Sequence, residues 1–148
     1  KSKVKLFQGD IYEFMEKAKS AGERYDVVAI FGIFYHIIEH FRLLQLAKAL
    51  GPKLIVVDST FFISDQPVIK VNRERTDKHL NAAPQEAGQA VAVSGVVSFR
   101  AMEFMAEALG LDFQWVDAAA IHPKKKLGVE DYFKTEGKRR QAIALRPR

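Results

Sequence analysis

One run constrains the chain more than any other: Tyr25 to Phe31 (YDVVAIF) is almost continuously apolar and β-branched, and Gly32 ends it. An amphipathic strand would alternate. A run without alternation predicts a strand covered on both faces, as in a parallel sheet built from β-α-β units. Lys53 to Ser59 (KLIVVDS) repeats the signal after the helix-stopping pair Gly51-Pro52. Between them, from about Tyr35 to Leu50, Leu43, Leu44, Ala47 and Leu50 share one helix face.

The flanking segments extend this alternation. Val4 to Phe7 reads as a short strand that exits at Gln8-Gly9-Asp10. Ile11, Phe14, Met15 and Ala18 then mark a helix that closes at Ser20-Ala21-Gly22. Ser98 can cap a further helix with the stripe Met102, Met105, Ala106 and Leu109, and Gly110 stands at its C-terminal end. Leu111 to Val116 is another strand, and Arg140 to Leu145 alternates like a last one. The segment Thr60 to Val97 reads as a long irregular insertion, placed as a lid over a substrate. The expected fold is α/β: a Rossmann-like, mostly parallel sheet with helices on both faces and an antiparallel last strand, all in one domain spanning residues 1–148.

Composition narrows the function class. The 148 residues carry no Cys, which excludes disulfides and thiolate chemistry and is compatible with the cytoplasm. No apolar run reaches the roughly 20 residues of a membrane span. Nothing at Lys1-Ser2-Lys3 resembles a signal peptide. The first residue is Lys rather than an initiator Met, so the chain is expected to begin inside a longer one. The net charge of +5 is mild. It is concentrated between Ala118 and Arg140, where Lys124, Lys125, Lys126, Lys134, Lys138, Arg139 and Arg140 face three acids. Such a connection can attract a phosphate-bearing partner or simply be a solvated loop.

Several residues fall where open α/β sheets bind ligands, outside the C-terminal strand ends. Asp10, Gly32 and Asp58 all end predicted strands. Asp10 can accept from a ligand amino group or cap the helix that follows. Tyr35 and His36 come directly after the Gly32 turn, and an imidazole is a ready proton acceptor near neutrality. His36-Ile37-Ile38-Glu39-His40 also matches H-x-x-E-H, so a zinc hydrolase using His36 and His40 on one helix face is a second reading. A non-catalytic module docking RNA or an acidic partner through Lys124–Lys126 is a third.

In order and spacing, these pieces resemble the second half of a class I S-adenosylmethionine-dependent methyltransferase. Phe7-Gln8-Gly9-Asp10-Ile11 is similar to the end of that family's third strand, the run from Tyr25 to His36 to its fourth strand and following loop, and Lys53 to Asp58 to its fifth. Ser98–Gly110, Phe113–Asp117 and Arg139–Arg146 are similar to its terminal helix and strand pair. Gly32-Ile33-Phe34-Tyr35-His36 resembles the corresponding stretch of tRNA wobble-uridine modifying enzymes. The resemblance implies S-adenosylmethionine as cofactor, with Asp10 and Ile11 at adenine and Phe31, Gly32 and Ile33 along the cofactor channel. It places Tyr35 and His36 at a small-molecule or tRNA acceptor, and leaves room for a homo-oligomer. The family's first strand, its Gly-rich loop and the acidic residue after its second strand have no counterpart here. On this reading about 80 residues are missing, from two β-α-β units of roughly 30 or more each. The chain alone is then not expected to bind the cofactor tightly.

Overall fold

The computed structural model describes residues 3–77, 86–120 and 128–148. Helix α1 (Ile11–Ser20) leads into strand β1 (Val27–Phe31), a 3₁₀ turn at Phe34–His36 and helix α2 (His40–Ala49). Strand β2 (Leu54–Phe62) is followed by β3 (Ile69–Arg75) and β4 (Val91–Val97). Helix α3 (Phe99–Ala108), strand β5 (Leu111–Trp115) and strand β6 (Lys138–Pro147) complete the chain. The main sheet has the order β1-β2-β6-β5. β1 and β2 are parallel, and β6 is antiparallel to both β2 and β5. Three strands therefore run one way and the last runs against them, as the sequence predicts.

Strand side chains alternate sharply in exposure. In β1, Val28 and Ile30 are buried, while Val27 and Phe31 are 53% and 62% exposed. Register carries the buried set across the sheet: Val28 opposes Ile55, Ile55 opposes Leu145, and Leu145 opposes Phe113. Buried residues of all three helices join this set in one core, among them Met15, Leu43, Leu44, Ala47, Met102 and Ala106. Val56 and Ala142, from the alternate set, are only half-buried.

Two expectations are corrected here. β1 is not covered on both faces, and the helices among the described residues lie on one face rather than two. The cause is topological. Right-handed crossovers that progress in one direction along a sheet place their helices on the same side. A doubly wound sheet acquires its second layer only where strand order reverses. Every described crossover here progresses one way.

Three local predictions also change. Val4 to Phe7 forms no strand: these residues are exposed, Leu6 at 92%, and belong to neither described sheet. In α1 the buried face is Tyr12, Met15 and Ala18, while Phe14 turns out and packs its ring 5.2 Å from Phe7. The segment read as an irregular lid is an antiparallel hairpin of β3 and β4, with residues 78–85 outside the described set. The α3 stripe and its caps are as predicted: Ser98 Oγ accepts from Ala101 N at 3.0 Å, and Gly110 takes φ +62°.

Candidate functional site at the tips of β1 and β2

Phe31 and Asp58 are opposed across the parallel ladder. Gly32 carries the ladder one step further, donating its N–H to the Asp58 carbonyl at 3.1 Å. Its φ of +72° is open to glycine at no cost, and a Cβ there would meet nothing within 4 Å. The tip therefore turns sharply beside open space, with Phe31 exposed next to it. Ile33 packs against the core and Phe34 is fully buried. Of the three strand-end residues singled out by sequence, the structure brings Gly32 and Asp58 together.

Asp10 lies at the start of α1. It caps α1, with Oδ1 accepting from Tyr12 N at 2.8 Å and Glu13 N at 3.0 Å. It lines surface depressions formed with α1 and with Phe7 to Gly9, and Ile11 beside it is half-buried. Both capping bonds use one oxygen, so Oδ2 keeps its acceptor capacity. The capping and ligand roles are compatible.

The predicted helix from Tyr35 is interrupted. Ile37 is extended, and its carbonyl accepts from Gly95 N of β4 at 2.9 Å. That cross-element bond takes an acceptor that a continuous helix would have used, so α2 starts only at His40. The break removes the geometry behind the zinc reading, because His36 and His40 are not one turn apart on a helix. His40 is almost fully buried, holds the Gly95 carbonyl through Nε2 at 3.1 Å, and packs edge-on against Phe34. Burial pushes its pKa below the ordinary 6.5, so it sits in the core as a neutral ring. Among the described residues no group of three or more His, Asp or Glu side chains is placed to hold a metal.

Tyr35 and His36 occupy the 3₁₀ turn with ring centroids 4.1 Å apart. The hairpin reaches over this turn. Glu74 Oε2 lies 3.7 Å from His36 Nδ1, and Glu74 Oε1 accepts from the buried Ser94 hydroxyl at 2.6 Å. Neither Glu74 nor Ser94 is visible from sequence as a site residue. They lie 38 and 58 positions from His36, and only the hairpin register, which sets Glu74 opposite Ala92 and Asn72 opposite Ser94, brings them near.

A second polar group forms on the less covered face. Asp58 accepts from Arg140 Nε at 2.6 Å and from the Tyr132 hydroxyl, and Arg140 Nε also reaches that hydroxyl at 3.1 Å. Burial, then the bond to Asp58, raise the Tyr132 pKa. A shallow depression of about 300 Å³ adjoins this group, lined by Phe31, Val56, Asp58, Arg140 and Ala142. Arg140 thus neutralises Asp58, and Lys134 pairs with Asp131. Two of the clustered cations have acidic partners, while Lys124, Lys125 and Lys126 lie outside the described residues.

The described fold is a Rossmann-like sheet, with an antiparallel strand inserted between two parallel ones. No family model matches the chain, and no curated protein matches it. Solved structures do. The N-terminal domain of EvdMO1 with SAH bound is similar at 15% identity and a TM-score of 0.56, over 88% of this chain and 49% of that one. The same domain in the presence of SAH and D-fucose matches at 16% identity and a TM-score of 0.55, over 88% and 50%. This likeness shows the fold. The chain spans about half the length of the structures it matches. Among the described residues, no helix is long and apolar enough to cross a membrane.

Proposed function

We propose that this chain is the C-terminal half of a class I S-adenosylmethionine-dependent methyltransferase domain. One observation carries the reading most directly: the described sheet is wound in a single direction, and β1, with Val27, Ala29 and Phe31 on the face left uncovered, keeps the apolar character of a doubly covered strand. The similar EvdMO1 domain, whose structure has SAH bound, is about twice as long, which fits a fold completed by another segment.

Under this reading S-adenosylmethionine would supply the methyl group from its sulfonium centre, and its sulfur would depart as a neutral thioether. The residues of this chain fit one side of such a ligand. Asp10 Oδ2 is free to accept from the adenine amino group, with Ile11 against the ring. The open space beside Gly32, between Phe31 and Ile33, suits a close approach of ligand to backbone. Tyr35 and His36 then face the acceptor, a small molecule or a tRNA. Displacement at a methyl carbon needs the acceptor held in line and, for a protonated acceptor, its proton taken as the new bond forms. His36 is the proton acceptor in this scheme and Tyr35 a wall that limits its motion.

The test is calorimetric titration of SAH into the longest natural polypeptide that contains these residues. Saturable binding, weakened at least tenfold by Gly32→Val, is the expected result. A folded protein that takes up no SAH overturns the proposal.

A further inference from the structure

His36 is held unusually well for a residue in a turn. Its amide donates to the Ile33 carbonyl at 2.8 Å, and Tyr35 packs on the ring. Nδ1 is buried and has no hydrogen-bond partner, whereas Nε2 does not share that state and bonds to no other described residue. The two ring nitrogens thus face different surroundings. Nδ1 looks toward the Glu74 carboxylate at 3.7 Å, and the side chain as a whole keeps 16% of its surface exposed.

Glu74 is itself constrained. The wholly buried Ser94 hydroxyl donates to Oε1, which leaves Oε2 as the oxygen directed at the ring. No Lys or Arg among the described residues pairs with Glu74, so the negative end of this arm is aimed at His36 alone. A nitrogen lone pair facing a carboxylate is repelled, whereas an N–H facing it is attracted. At 3.7 Å the contact is longer than a hydrogen bond, and a small ring rotation closes it.

From this we infer that Glu74 is a positioning residue for His36: its carboxylate keeps the ring proton on Nδ1 and leaves the Nε2 lone pair free on the accessible side. The inference rests on the reading of His36 as the proton acceptor, and gives the β3–β4 hairpin a role other than covering substrate. It serves as the arm that sets which nitrogen can act.

Two-bond ¹H–¹⁵N correlation spectra of the ¹⁵N-labelled protein at pH 8, without cofactor, read the tautomer directly. The wild type is expected to show Nδ1 protonated at His36. Glu74→Leu should shift the tautomer ratio toward Nε2–H about tenfold, the effect of losing a bond to a charged group. Glu74→Gln should restore the wild-type pattern, because its amide oxygen still accepts. His40 is the internal control, since its Nε2 is fixed on the Gly95 carbonyl and its signature reports an intact fold. Should Glu74→Leu lose that signature, Ser94→Ala replaces it and should shift the ratio the same way. Wild-type His36 protonated on Nε2, or a ratio unmoved in a folded variant, overturns the inference. SAH titration of the same sample fails or succeeds independently of these spectra, so loss of the cofactor reading is distinguishable from loss of this one.

Discussion

The two faces of the main sheet are made by the same strands, alternate residue by alternate residue, yet they differ completely. On one face Ile30, Val57, Phe61 and Ile143 are buried under three helices. On the other, Val27 and Phe31 project toward solvent, and Asp58 and Arg140 pair at the edge of a shallow depression. Sequence alone assigns no such asymmetry, because Val27, Ala29 and Phe31 are as apolar as Val28 and Ile30. The difference teaches that the composition of a strand such as β1 does not tell which of its faces the helices cover.

This contrast can be broken most directly by truncating matched residues. Phe61→Ala on the covered face should cost about 3–5 kcal/mol in urea unfolding, and Phe31→Ala on the open face under about 0.5 kcal/mol. Equal losses would show that the open face is covered in solution. A smaller effect tests the close approach of β4 to the turn before α2. A Cβ on Gly95 would lie 2.9 Å from His40 Cε1, 2.9 Å from Ile69 Cγ2 and 3.0 Å from Ile38 Cδ1. Gly95→Ala should therefore cost about 1–3 kcal/mol as overpacking, and a neutral variant would refute the tight approach of β4 to the turn.

The smallest effect near neutrality is a pH dependence. His40 has a folded pKa below its ordinary 6.5, so the unfolded chain binds more protons at mildly acid pH. Its contribution is fully present above about pH 6.5 and is lost as pH falls through the lowered value. His40→Gln, which keeps a donor for the Gly95 carbonyl, should flatten that part of the stability–pH curve. An unchanged slope would place the titration elsewhere. His40 packs against Phe34 of the core, so this part of the acid sensitivity belongs to the covered side.

Much of the frame was legible in the chain. The runs at Tyr25–Phe31 and Lys53–Ser59, the leucine face of α2 and the cap and stripe of α3 are local signals, and each formed where expected. What failed depended on distant partners. Val4 to Phe7 has strand composition, but composition alone does not make a strand, and the segment joins neither described sheet. The β3–β4 ribbon mixes Lys70, Arg73 and Glu74 with exposed Val71 and Val93, so its alternation is weak and its support comes from the turn beneath it. The candidate site divides the same way. Gly32, Tyr35 and His36 are contiguous in sequence and could be named from it. Glu74, Ser94, Tyr132 and Arg140 enter only through sheet register and hairpin packing.

One feature of the sheet order has a practical consequence. β1 stands at an edge, and its five residues offer a row of backbone donors and acceptors with no lysine, proline or bulge among them. Such an edge is a template for any strand that arrives, native or foreign. An added strand would extend the described sheet along this border by main-chain bonds alone. Asp26 and Gly32, which bracket the strand, mark where a solubilising charge would have to go.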